Sequence, residues 1–254
     1  MTPEQFELHA RIEDIHWWFV GRKHIVSTLV QATVFDEGEK ILIDLGCGTG
    51  GNVGVFQDKF NCIGVDISEY AIHFAKKRFP NVNFICGTFG KTLCPIFEKA
   101  DIVLLLDVLE HIENDSQFLR NLIINMKQGA YLLMTVPSDM SLWSPQDEFL
   151  GHFRRYSFKE LLAMFTELPV SIKLLSYYNS LLYPIVKAVR MVTNLRGRTW
   201  GKAGTDLSIP PWPINTFLAK IFASESKCLL KRIDHPSRPL FPFGVSLISI
   251  LKKD

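Results

Sequence analysis

DLGCGTGG, residues 44–51, follows the apolar run KILI at residues 40–43, and its reading decides the fold. Glycines placed immediately after a strand allow a tight turn and let a ligand approach the backbone closely. Working outward, KILIDLG, NCIGVD, VNFICG, ADIVLLLD and AYLLMTV, between Lys40 and Val136, predict five strands separated by segments of helical period. Ser68 stands where it can cap a helix presenting Ala71, Phe74 and Ala75. Asn114 can cap another, with Phe118, Leu119, Leu122, Ile123 and Met126 as its apolar stripe. Uninterrupted apolar strands belong to a parallel sheet covered on both faces, so the alternation predicts an α/β, doubly wound, Rossmann-like domain.

Past Pro137 the chain is irregular as far as Tyr156. Ser157 and Glu160 then stand at capping-box spacing before Leu161, Leu162 and Phe165; a strand is predicted over residues 170–176, and GVSLISILKK predicts the last one. Residues 177–238 are too many for an ordinary connection and predict a helical insertion before that last strand. The predicted organisation is a helical cap over residues 1–36, a core over 37–176, the insertion over 177–238 and a final core strand within 239–254. In the insertion, Leu181, Leu182, Tyr183, Ile185, Val186 and Val189 form one apolar helical face, and Ile214, Phe217, Leu218, Ile221 and Phe222 another. Ten Lys and Arg against three acids give this stretch +7 in a chain whose total is +2.

If the last strand runs antiparallel to the other six, the insertion enters it from the carboxyl-end face, where open α/β sheets bind ligands. The insertion is then predicted to be a lid that selects an apolar small molecule, its positive balance leaving room for an anionic one. Plain packing on the sheet is one alternative, and peripheral contact with an anionic bilayer is another.

A chain of 254 residues that is 47% hydrophobic buries one sizeable core, and its nearly cancelled charge gives no global field for nucleic acid. Glu4, Glu7, Glu13 and Asp14 fall where a secretory signal needs a basic stretch and an apolar run, so a cytoplasmic location is expected. The five cysteines form no CxxC pair, which predicts reduced thiols and no metal site. Pro184, Lys187 and Arg190 interrupt the best apolar run well short of the roughly 20 residues a spanning helix needs.

By itself the glycine loop is ambiguous, because Gly46, Gly48 and Gly51 also satisfy the dinucleotide form GxGxxG. Asp66, ending the second strand, suits both hydroxyls of a ribose under either reading. Asp44 separates them: two residues before the first glycine, it offers a carboxylate to an ammonium or sulfonium and would repel a pyrophosphate. DVLEHI then places Asp107, Leu109 and His111 just past the fourth strand, on the ligand-binding face. A terminal strand bracketing an insertion is also foreign to the usual dinucleotide domain.

With DLGCGTG, VDIS and DVLEHI so spaced, the chain resembles the class I methyltransferases over roughly residues 17–165 plus the terminal strand. The resemblance implies a seven-stranded sheet with a reversed last strand, and S-adenosylmethionine as methyl donor. It implies cofactor contacts from Asp44, Gly46, Gly48, Gly50, Asp66, Ile67, Asp107 and Leu109. In CGTFG, Gly87, Thr88 and Phe89 stand where many relatives carry an acid near the adenine. HWWFVGR at residues 16–22, and HFRRY at 152–156 within an HxRRY pattern, are similar to a bacterial subgroup linked to glycan, lipid or secondary-metabolite pathways. Trp17, Trp18 and Phe19 are read as pinning a helix to the core, with Trp18 beside the cofactor. Arg22, one turn on, is implied to fork onto the methionine carboxylate.

Methyl transfer is a displacement at an already activated carbon, so it needs alignment first and a base only where the acceptor must lose a proton. His152 and His111 are the candidate bases, and Arg155 and Tyr156 the candidates to orient an acceptor. The same cluster with Asp147 also reads as an ion-pair network that fixes a loop. A small-molecule hydroxyl is the leading acceptor, with nitrogen and carbon open. The run after the fourth strand lacks the Asn or Asp, Pro, Pro and aromatic pattern of many amino-group nucleic-acid enzymes. A noncatalytic cofactor-binding protein is the remaining alternative.

Overall fold

The computed structural model describes residues 2–34, 38–90, 92–197, 199, 201, 205–235 and 238–254. Helices α1 (Pro3–Ile12) and α2 (Trp17–Thr33) precede β1 (Ile41–Leu45), β2 (Asn61–Asp66), α3 (Glu69–Arg78), β3 (Asn83–Cys86), the single turn α4 (Cys94–Phe97) and β4 (Ile102–Leu106). Then come α5 (Asp115–Ile124), β5 (Tyr131–Pro137), α6 (Pro145–Leu150), α7 (Phe158–Thr166), β6 (Val170–Tyr178), α8 (Tyr183–Arg196), α9 (Trp212–Leu230) and β7 (Ser246–Lys253). The seven strands form one sheet of order β3-β2-β1-β4-β5-β7-β6. Only β7 is reversed, pairing antiparallel with β5 on one side and β6 on the other. This is the predicted Rossmann-like arrangement with an antiparallel last strand.

Local chemistry explains most boundaries. Ser68 Oγ accepts from the Ala71 amide at 3.2 Å, and Ser157 and Glu160 cap α7 reciprocally at 3.2 and 2.7 Å. Asn114 occupies its N-cap position without the side-chain bond expected of it. α3 buries Ala71, Ile72 and Ala75, whereas Phe74 is only half-buried. β6 runs to Tyr178, so the predicted boundary at 176/177 falls inside a strand. The boundary at 36/37 involves residues outside those described.

β4 is buried along its whole length, as a central parallel strand must be. Alternate residues feed two cores. Ile102, Leu104 and Leu106 join Ile25 and Leu29 of α2 and Phe222 and Leu229 of α9; Val103 and Leu105 join Leu119 and Ile123 of α5 and Leu161 and Phe165 of α7. Each such side chain contributes about 1.5–3 kcal/mol.

The insertion divides into two unlike halves. α9 is a core helix packed on α2, so closely that a Cβ on Gly21 would lie 2.5 Å from the Phe222 ring. Asn215 binds both the Trp17 amide and the Ile15 carbonyl, and Glu225 accepts from the Ser180 and Leu181 amides at 2.8 and 2.9 Å. α8 is inverted: it buries Arg190 and Thr193 and exposes Ile185, Val189, Met191, Val192 and Leu195. No helix among the described residues is long and apolar enough to cross a membrane.

Candidate active site

Strand order reverses between β1 and β4, and the crevice at their carboxyl ends is where such sheets take ligands. The amides of Gly46 and Cys47 both donate to the Val65 carbonyl, at 2.7 and 3.0 Å, folding the loop back over β2. Gly46 has φ +83°, and a Cβ there would meet Val108 at 2.3 Å. Gly48 has φ +54° and the opposite surroundings, with no heavy atom within 4 Å of where its Cβ would lie. The loop thus leaves one backbone surface open for a ligand to rest on. Asp66 holds it in place: its carboxylate accepts from the Gly48 amide at 2.8 Å and the Ser68 amide at 2.9 Å. Ile67 beside it is 77% exposed, and Thr88 beyond β3 is exposed as well.

Beneath the loop Asp44 is completely buried, and neither of its carboxylate oxygens makes a hydrogen bond of full geometry among the described residues, although the Val53 backbone lies close enough to favour its charged form. Burial pushes its pKa up to about 7; Arg22 opposes the shift and Asp66 reinforces it. A cation is the partner such a carboxylate lacks, which is the electrostatic demand of an ammonium or sulfonium ligand. Arg22 stacks 4.3 Å above the Trp18 ring and forms an ion pair with Asp107 across the crevice. Asp107, Asp139 and Asn179, just past β4, β5 and β6, all have positive φ between 53° and 60°. Such strain at non-glycine residues gathers where a site over-determines the backbone. The Asn179 side-chain amide, buried at the same ends, adds further polar atoms without a hydrogen-bond partner among the described residues.

A pH dependence follows from Asp44. Below pH 7 the free protein holds it protonated, whereas a cationic ligand requires it ionised, so binding releases a proton there. S-adenosylhomocysteine affinity should fall as pH drops below 7, by up to about tenfold per pH unit, and level off above. Calorimetry across pH 5–8 measures this, and Asp44→Asn should flatten the profile; an unchanged profile would remove Asp44 from the ligand's cationic end.

The N-terminal helices latch over the loop through contacts sequence reasoning missed. Glu13 accepts from Thr49 Oγ1 at 3.0 Å and pairs with Arg78, which also reaches Asp14 at 2.8 Å. Its carboxyl carbon sits 2.3 Å from where a Gly51 Cβ would lie, so Gly51 is there to admit Glu13. No sequence pattern links residues so far apart.

Past β5 the chain is organised by Asp147, which is 1% exposed. Arg155 Nε and Nη2 donate to its two oxygens at 2.9 and 3.0 Å, the Ser144 amide donates at 3.0 Å, and His152 Nδ1 lies at 2.9 Å. The Tyr156 hydroxyl donates to Asp115 at 2.7 Å. Arg155 and Tyr156, expected to orient an acceptor, are therefore buried and committed to holding this loop. Leu109, expected beside the cofactor, is completely buried in the α5-side core. The Phe89 ring, in the segment expected near the adenine, packs edge-on against Phe97 and Phe118.

His111 and His152 do come together, their rings edge to face with centroids 4.7 Å apart. The Phe153 amide donates to the Glu110 carbonyl at 2.8 Å and ties the two segments. Burial, reinforced by His152, lowers the His111 pKa to about 4, so its imidazole is neutral at pH 7.

The methyltransferase-domain profile matches residues 36–187, more than half of the chain. The chain belongs to the methyltransferase-domain family. A ubiquinone biosynthesis O-methyltransferase of Rickettsia felis is 28% identical over 153 residues, covering 52% of this chain and 61% of the relative. The chain spans between half and two thirds of the length of the curated relatives it matches. An S-adenosylmethionine-dependent methyltransferase from Archaeoglobus fulgidus superposes with a TM-score of 0.52 at 17% identity, covering 91% of this chain and 92% of that one. The plantazolicin methyltransferase, solved with S-adenosylhomocysteine, gives 0.53 at 16%, covering 92% and 85%. These likenesses establish the fold of this methyltransferase domain. S-adenosylmethionine is the cofactor of the family, and the crevice has features that fit it: open space above Gly48, Asp66 at the end of β2, and a buried Asp44 carboxylate without a hydrogen bond of full geometry among the described residues.

Proposed function

We propose that this methyltransferase-domain protein transfers the methyl group of S-adenosylmethionine to a hydroxyl oxygen of a small apolar molecule. Bound in the crevice, the cofactor supplies an electrophilic methyl on a positive sulfur. Asp44 takes its cationic end, Asp66 and Ile67 its ribose and base, and Arg22 on its Trp18 platform its carboxylate. The observation that carries the oxygen reading is the His111–His152 pair, because a hydroxyl acceptor must lose a proton and a neutral imidazole can receive it. The Rickettsia relative, an O-methyltransferase by name, supports the same class.

The inverted α8 favours an apolar, lipid-like acceptor. Tyr183 bonds to Asp139, Asn194 to the Trp143 carbonyl and Arg190 to Ser144, so the helix is seated on the loop that carries Asp147. Its outer face presents Ile185, Val189 and Leu195, the last 86% exposed, alongside Lys187 and Arg196. An apolar face with basic neighbours is how a peripheral helix meets an anionic bilayer, the source from which such an acceptor would come. The triple variant Ile185→Ser, Val189→Ser, Leu195→Ser alters exposed side chains and should leave folding and S-adenosylhomocysteine affinity unchanged. Methylation of a hydroxyl acceptor from a membrane lipid extract should fall at least tenfold, together with co-sedimentation on anionic vesicles. Unchanged turnover would end the apolar-acceptor reading, and methyl found on nitrogen or carbon would end the oxygen reading.

A further inference from the structure

Glu110 is the middle residue of the turn Leu109–His111 just past β4. It is 1% exposed, and neither carboxylate oxygen has a hydrogen-bond partner among the described residues. Burial, reinforced by Asp107, pushes its pKa well up. Beside it stand His111 and His152, and one ligand-type atom from each of the three residues lies within 4.8 Å of the other two.

Both imidazoles are held from behind. His152 Nδ1 sits 2.9 Å from Asp147 Oδ1, leaving Nε2 as its remaining ring nitrogen, and His111 is hydrogen-bonded to the backbone of Gly151. A histidine whose second nitrogen is fixed by a carboxylate or a backbone carbonyl is the arrangement that orients imidazoles on metals. Two imidazoles and a carboxylate suit a divalent first-row ion such as zinc, whereas magnesium and calcium prefer oxygen alone. Bonds of about 2.0–2.2 Å would bring the ligand atoms to roughly 3.3 Å from one another, so side-chain shifts on the order of 1 Å close the set.

We propose that Glu110, His111 and His152 form a binding site for a divalent transition-metal ion, zinc by preference, supported by Asp147 and the Gly151 backbone. No cysteine pair or histidine spacing announces such a site in the sequence, because its ligands come from two segments that meet only in the fold. Metal binding stands apart from the hydroxyl-acceptor reading, and only its use rests on that reading. An acceptor hydroxyl bound to the ion would lose its proton more readily, the proton passing to solvent water while His111 and His152 stay on the metal; without the ion the same imidazoles are free to receive it.

The full chain, stripped with a chelator and dialysed, is titrated with Zn2+, Mn2+ and Mg2+ by calorimetry, with bound metal counted by mass spectrometry. One equivalent of Zn2+ is expected, bound at least tenfold more tightly than Mg2+. Glu110→Gln and His152→Asn should each weaken it tenfold or more, while His73→Asn, at an exposed histidine, should not. Circular dichroism and S-adenosylhomocysteine binding confirm that the variants are folded. Absence of stoichiometric Zn2+ or Mn2+ binding, or binding unaltered in both Glu110→Gln and His152→Asn, overturns the proposal. Full methylation of a hydroxyl by the metal-stripped protein overturns the metal's part in turnover and leaves the oxygen reading intact. Metal bound as expected with methyl delivered to nitrogen or carbon overturns only the oxygen reading.

Discussion

Asp147→Ala is expected to remove about 3–5 kcal/mol of folding stability, because it strands a buried guanidinium. Arg155 is 6% exposed, and two of its nitrogens donate to this carboxylate. The Ser144 amide, His152 and the field of Arg190 converge on it as well. Burial alone would raise the Asp147 pKa, but the His152 hydrogen bond and the charge of Arg155 outweigh it and hold the carboxyl well below its ordinary value. A depressed acid pKa stabilises the fold above the unfolded value, near 3.8–3.9, and that contribution is lost as pH falls through the folded value. The difference between wild type and variant in urea denaturation should therefore be full at pH 7 and shrink only in strong acid. Asp147→Asn should fall between, keeping part of the hydrogen bonding without the charge. A loss under about 1 kcal/mol for alanine would mean that the loop is held by its other contacts.

The strands were legible because a central parallel strand leaves no polar residue on either face, and ADIVLLLD shows that directly: all five residues of β4 are buried. The Ser157 cap was legible because its bonds join residues three apart. Asn114 failed as a cap although its residue type fits, because type alone does not fix the side-chain geometry. For the insertion, periodicity revealed that apolar faces exist but not what they meet. α9 turns Phe222 onto Gly21 in the core, whereas α8 turns Arg190 inward to Ser144 and Asp206 and sends its apolar side chains out. HFRRY was legible as a charged cluster; which member faces the crevice was not. The buried Asp147 recruits Arg155, Asp115 takes Tyr156, and His152 alone of the expected group stands against His111. Glu110 had no signal of its own, since an acid in DVLEHI reads as surface until the fold closes over it.

Asp66→Ala is expected to weaken S-adenosylhomocysteine binding by roughly 10- to 150-fold, the equivalent of about 1.5–3 kcal/mol for hydrogen bonds to a charged group. Asp66 has two tasks. Its carboxylate already fixes the Gly48 and Ser68 amides, and each oxygen keeps a lone pair with which to receive a ribose hydroxyl. Alanine removes the acceptors for the ligand and also frees Gly48, whose open side is the surface the cofactor rests on. Asp66→Asn separates the two tasks from simple loss of charge. Its amide nitrogen must face one of two backbone donors, Gly48 or Ser68, so a donor meets a donor and asparagine should recover little affinity. Glu would carry the charge too far along the crevice to keep both amide bonds, and should be poor as well. Calorimetry at pH 8, above the Asp44 transition, isolates this effect from the proton released at Asp44. Affinity within twofold of wild type for Asp66→Ala, in a variant that still unfolds cooperatively, would show that Asp66 only shapes the loop and that the ribose is held elsewhere.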